Sequence, residues 1–87
     1  VMNGMSILET IIQAGRERKL LWMRAREKDG SVEERIVEPY SFRPPGTYER
    51  FYCYDVRKQG TRQFYLRNIL EVRKLDESFV PRWPVEL

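Results

Sequence analysis

Two stretches decide how this chain folds: Tyr48-Glu49-Arg50-Phe51-Tyr52-Cys53-Tyr54-Asp55 and Arg62-Gln63-Phe64-Tyr65-Leu66-Arg67-Asn68-Ile69. Both alternate in character, and successive side chains of a strand point to opposite faces. The first stretch puts Phe51 and Cys53 on one face and Tyr48, Arg50, Tyr52 and Tyr54 on the other. The second puts Arg62, Phe64 and Leu66 on one face and Gln63, Tyr65 and Arg67 on the other. Phe51, Phe64, Leu66 and Ile69 are core candidates. Arginines and aromatics are expected to share a surface, where guanidinium groups can pair with phosphates and rings can stack on bases.

Working outward, the N-terminal side begins with Ser6-Ile7-Leu8-Glu9, the signature of a helix capping box. Leu8, Ile11, Ile12 and Gly15 recur at helical spacing, which predicts one amphipathic helix over about 7–18. Leu21, Met23 and Ala25 then alternate with Trp22, Arg24 and Arg26, as in a strand. Asp29-Gly30 signals a hairpin turn, and a second strand is expected from Val32 to about Glu38, limited by Pro39. Phe42 to Gly46 reads as a loop, Lys58-Gln59-Gly60 as a turn, 61–66 as a strand and 70–75 as the last strand. The fold expected is mostly β with one N-terminal helix, a small five-stranded closed or nearly closed β-barrel. Residues 1–5 are expected to be disordered or a cloning remnant. Residues 6–87 form a single domain, with an extended C-terminal tail from about 76.

The 87 residues suit one small domain with little room for a deep cleft. The 33% charged residues would suit disorder, but 13% aromatics and short β-branched runs argue for a folded, strand-rich domain. Sixteen Lys+Arg against thirteen Asp+Glu make the chain mildly basic. Charge alone does not establish nucleic-acid binding, because an ion-paired, solvated surface has the same balance. One cysteine, Cys53, and no histidine argue against a structural zinc site or a Ser/Cys nucleophile with its usual base. An apolar position within a strand pattern suits a buried Cys53, and a reducing, cytoplasmic setting fits. No apolar run approaches ~20 residues, so no membrane span is expected. No cofactor is implied.

The order of elements resembles the WYL domain, a family named for a Trp-Tyr-Leu tripeptide. The resemblance runs from the helix at Ile7 to about Pro81. It rests on Asp29-Gly30, Arg35-Ile36-Val37-Glu38-Pro39-Tyr40, Tyr54-Asp55, and Arg62-x-Phe64-x-Leu66-x-x-Ile69 with Arg67. The chain departs from the family at the tripeptide, which falls on Glu49-Arg50-Phe51, so only the apolar third position survives. A tyrosine expected in the first strand falls near Ala25. The resemblance implies an Sm-like or SH3-like barrel serving as a sensor or accessory module beside a DNA-binding, helicase or nuclease domain. The altered tripeptide with an Arg-rich signature is most similar to the C-terminal accessory WYL domain of bacterial Pif-type helicases.

The nucleic-acid-binding candidates are Arg62, Arg67, Arg50, Trp22, Arg24, Arg26, Tyr52, Tyr54 and Arg35. Each has a structural alternative. Arg62, Arg67 and Arg35 could be ion-pair residues, Trp22 could pack beneath the helix, and Tyr52 and Tyr54 could be half-buried ladder residues. Arg24 and Arg26 could be solvated hairpin charges. Trp83 could cap the barrel or mark contact with a host protein. Three function classes follow: a non-enzymatic module binding single-stranded DNA that regulates a helicase or related DNA-processing protein; a sensor for a nucleotide-like or other phosphorylated ligand; and a protein-interaction module.

Overall fold

A computed structural model describes residues 4–87. Of the N-terminal segment expected to be disordered or a remnant, residues 1–3 lie outside the described residues. Helix α1 spans Ile7–Arg16. Its capping box is formed: the Ser6 hydroxyl accepts from the Glu9 N–H at 3.0 Å, and the Ser6 N–H donates to the Glu9 carboxylate at 2.9 Å. The helix stops two residues earlier than its periodicity predicts. Arg18 takes a left-handed φ of 58°, and its N–H bonds the Gly15 carbonyl, which ends the helical ladder.

Five strands follow: β1 (Lys19–Arg26), β2 (Val32–Arg43), β3 (Arg50–Asp55), β4 (Gly60–Tyr65) and β5 (Ile69–Ser78). A short 3-10 turn, Leu66–Asn68, joins β4 to β5. They form one antiparallel sheet in the order β4-β3-β2-β1-β5. The expected barrel is therefore corrected to an open sheet, since β4 and β5 are its two edges and share no ladder. The helix seals the core instead: Ile11 and Ala14 join Phe64 and Ile69 from opposite edges in a single apolar cluster with Leu21, Val37 and Phe51.

Two strands are longer than expected. β2 does not stop at Pro39. Pro39 lies opposite Cys53, the register then slips by one, and Ser41 pairs with Tyr52. A bulge at Tyr40 absorbs the proline, a place where strands tolerate one. β5 runs on to Ser78 because its pairing with β1 continues past a second irregularity to Lys19.

Arg35 and Asp55 form the buried centre of an ion-pair network. Arg35 donates to Asp55 at 2.8 Å and to Glu27 at 3.0 Å, with Glu33 at 3.7 Å. Asp55 also accepts from the N–H groups of Arg57 and Lys58, each at 2.9 Å. One carboxylate thus orders the β3–β4 turn and anchors the arginine beneath the β1–β2 loop.

Candidate nucleic-acid interface

Alternation along β3 is as the sequence predicts. Phe51, Cys53 and Asp55 are buried, while Arg50, Tyr52 and Tyr54 are half-exposed on the other face. Antiparallel register then sets Arg50 opposite Tyr65, Tyr52 opposite Gln63, and Tyr54 opposite Thr61. The result is a ladder of arginine, tyrosine and amide groups across β3 and β4.

Each end of the ladder carries a cation stacked on a ring. The Arg67 guanidinium lies 4.2 Å from the Tyr65 ring centre, and that of Arg82 lies 3.8 Å from the Tyr54 ring centre. Beside Tyr65 is a cleft of about 210 Å3 lined by Lys28, Arg50, Gln63, Phe64 and Tyr65. Arg50 donates to the Gln63 side-chain oxygen at 3.3 Å and has Glu49 at 3.8 Å. Lys28 and Arg67 form no ion pair among the described residues. Their charge is therefore available to an incoming anion, because no carboxylate already neutralises it.

The candidates named from sequence do not all meet here. Arg50, Tyr52, Tyr54 and Arg67 do. Arg62 pairs opposite Cys53, which sets it out of phase with Tyr52, Gln63 and Tyr65 on the ladder face. It donates to the Thr61 carbonyl at 2.8 Å and lines a shallow pocket of about 80 Å3 at the sheet edge with Tyr52, Thr61 and Gln63. Arg35 must be corrected: it is only 8% exposed and engaged by three carboxylates, so it is a structural residue. Burial alone would ease its proton off, but the hydrogen bonds to Glu27 and Asp55 outweigh that and hold it charged.

Trp22, Arg24 and Arg26 alternate away from the core on β1, two strands from the ladder. Trp22 is not beneath the helix. Its indole N–H donates to Glu34 at 3.2 Å, and Arg73 sits 5.2 Å above its ring. Arg24 faces Glu71 at 3.4 Å, and Arg26 bonds the Gly30 carbonyl at 3.3 Å. Arg24 is thus ion-paired, sharing Glu71 with Arg73, whereas Arg26 has only the carbonyl among the described residues.

Sequence reasoning missed Lys28, at the tip of the β1–β2 loop, and Arg82, in the tail. Neither shows a local signal, because both reach the ladder through contacts distant in sequence. The tail packs closely. Trp83 stacks on Tyr40 at 4.4 Å and presents an edge to Tyr54 at 6.3 Å, so it caps the sheet. The Tyr40 hydroxyl donates to Glu38 at 2.5 Å and accepts from the Arg82 N–H at 2.9 Å. Burial, reinforced by the Glu38 carboxylate, pushes the Tyr40 hydroxyl up to about 12. Cys53 is buried, and burial raises its thiol pKa, which removes it as a nucleophile. Among the described residues no group of His, Cys, Asp or Glu could hold a metal ion, and no helix is long and apolar enough to cross a membrane.

Comparisons with known proteins bear on the family and the fold. The family model for the WYL domain matches residues 6–74. No curated protein matches the chain. A solved structure that matches is the proteasome accessory factor B/C (PafBC) of Arthrobacter aurescens, with a TM-score of 0.69 and 22% identity. The match covers 94% of this chain and 15% of that one, so this chain spans a small part of the protein it matches.

Proposed function

We propose that this chain, which belongs to the WYL domain family, is a regulatory module that binds single-stranded DNA through the Arg–Tyr ladder of β3 and β4. The observation that carries this reading is the union of cations, two of them unpaired among the described residues (Lys28 and Arg67), with rings at the surface. Lys28, Arg50 and Arg67 surround Tyr65, and Tyr52 continues the aromatic run. Cations track a phosphate backbone, and rings accept any base, so sequence preference is slight. In this reading the module is not an enzyme, and its host is a DNA helicase or related DNA-processing protein.

A second reading is favoured by the cleft itself. At about 210 Å3, with Lys28 and Arg50 beside Tyr65, it suits one nucleotide-like anion as well as one unit of a strand. The two readings separate by length. A strand gains affinity as it lengthens along the ladder, whereas a single-nucleotide sensor does not.

Replacing Lys28 and Arg67 together by alanine tests the strand reading. The expected result is roughly tenfold weaker binding to an oligodeoxythymidine and a shallower salt dependence, by about 0.7 in slope for each lost contact. Thermal melting should stay near that of the parent, because both side chains are exposed on loop or turn segments. A double variant that folds normally and binds with parental affinity and slope contradicts the proposal.

A further inference from the structure

We infer that the C-terminal strap, residues 79–87, completes the binding surface by seating Arg82 on Tyr54 and neutralising Glu38, so that a locally acidic end of the ladder becomes a neutral pair that presents a guanidinium to solvent. This rests on the single-strand reading above and adds a residue to it from beyond the matched family region, which ends at 74.

Glu38 lies directly opposite Tyr54 in the β2–β3 register. Its side chain is 5% exposed, and its carboxylate has two partners: the Tyr40 hydroxyl and Arg82 Nε at 3.2 Å. Only one of these is charged. Without Arg82 an anion would stand at the end of the ladder, where it repels phosphate. With Arg82 the anion is paired, and a guanidinium covers the ring instead. Arg82 remains 47% exposed, and its two terminal nitrogens donate to no other described residue. They are free to form the paired donor fork that suits a phosphate.

The strap is held well enough to preset this geometry. Trp83 and Phe79 both pack on the Tyr40 ring. The Glu86 N–H donates to the Tyr40 carbonyl at 2.7 Å, and the Glu86 carboxylate pairs with Arg43 at 2.7 Å. The β2 bulge at Tyr40 is thus the dock for the strap. Arg50 and Tyr54 are four residues apart on one strand face, about 13 Å. Arg82 therefore carries guanidinium donors along the ladder beyond the cleft rather than adding to it.

The experiment is an oligodeoxythymidine titration of the whole chain across salt, with Arg82→Gln, Arg82→Lys, Glu38→Gln and the Arg82→Gln/Glu38→Gln double variant. Arg82→Gln should weaken binding several-fold and flatten the salt slope by about 0.7. Arg82→Lys should keep most of the slope. Glu38→Gln preserves shape, removes the anion and should bind more tightly than the parent. The double variant should recover part of the loss in Arg82→Gln. If Arg82→Gln melts early, the Glu38→Gln and Arg82→Lys arms still decide. Parental affinity in both Glu38→Gln and a folded Arg82 variant overturns the inference, and if the Lys28/Arg67 double variant then still loses binding, the single-strand reading stands without it. A parent chain that fails to bind at all removes that reading as well.

Discussion

Asp55→Ala is expected to destabilise the domain by about 3–5 kcal/mol, because it strands a buried arginine. Asp55 is 1% exposed and Arg35 8%. Removing the carboxylate deletes the 2.8 Å pair and also the two N–H bonds that shape the β3–β4 turn. Glu27 remains 3.0 Å from Arg35, which makes the lower half of the range the better expectation. The effect depends on pH in a definite direction. Burial pushes the Asp55 carboxyl up, but hydrogen bonds from Lys58, Arg35 and Arg57 outweigh it, and its pKa is lowered on balance. The unfolded chain therefore binds the proton more readily, and the stabilisation is fully present above the unfolded pKa of about 4. It fades as pH falls through the folded value. Urea unfolding at pH 7 should show the full gap between parent and variant, and at about pH 3 the gap should narrow. A gap under about 1 kcal/mol at pH 7, or one that widens in acid, contradicts this account.

Phe51→Ala should cost about 3–5 kcal/mol by a different route, the loss of apolar burial plus the cavity left behind. Phe51 is fully buried, 5.6 Å centre to centre from Phe42, and lies opposite Phe64 in the β3–β4 register. Phe42 in turn meets Tyr48 edge-on at 5.4 Å, so the void opens in the middle of an aromatic stack. Phe51→Leu should lose less, since much of the volume is kept. The denaturant midpoint measures both. A Phe51→Ala variant with a near-parental midpoint would mean that the helix-sealed core collapses around the gap. Phe51 holds the third position of the altered tripeptide and is structural, whereas its neighbour Arg50 faces the ladder. Adjacent residues of one motif thus serve separate purposes.

What was legible in the sequence was local. The capping box at Ser6 and the face assignments of β1, β3 and β4 follow from spacing over a few residues, and these hold in the structure. Alternation groups Arg62 with Phe64, and the Cys53–Arg62 register agrees; that Arg62 still lines an edge pocket with Tyr52 is not visible from alternation. What was not legible depends on partners far along the chain. Closure of a barrel turns on whether β4 meets β5, and no property of either strand shows that the helix takes over the sealing. Arg35 reads as a surface cation until Asp55, twenty residues on, is placed against it. Pro39 reads as a strand end until the bulge at Tyr40 is seen to absorb it. The tail reads as extended, and nothing in Pro81-Arg82-Trp83-Pro84 announces that Arg82 meets a ring 28 positions earlier in the chain.

The central claim is that the ladder holds a single strand by its phosphates, and one measurement addresses it most directly. A labelled oligodeoxythymidine, a duplex of equal length and a mononucleotide are titrated with the parent chain by fluorescence anisotropy between ~50 and ~200 mM salt. For about three phosphate contacts the account predicts single-strand binding whose log affinity falls against log salt with a slope of roughly −2, tighter than for duplex or mononucleotide. Absence of single-strand binding at ~50 mM salt, or binding that salt leaves unchanged, contradicts it.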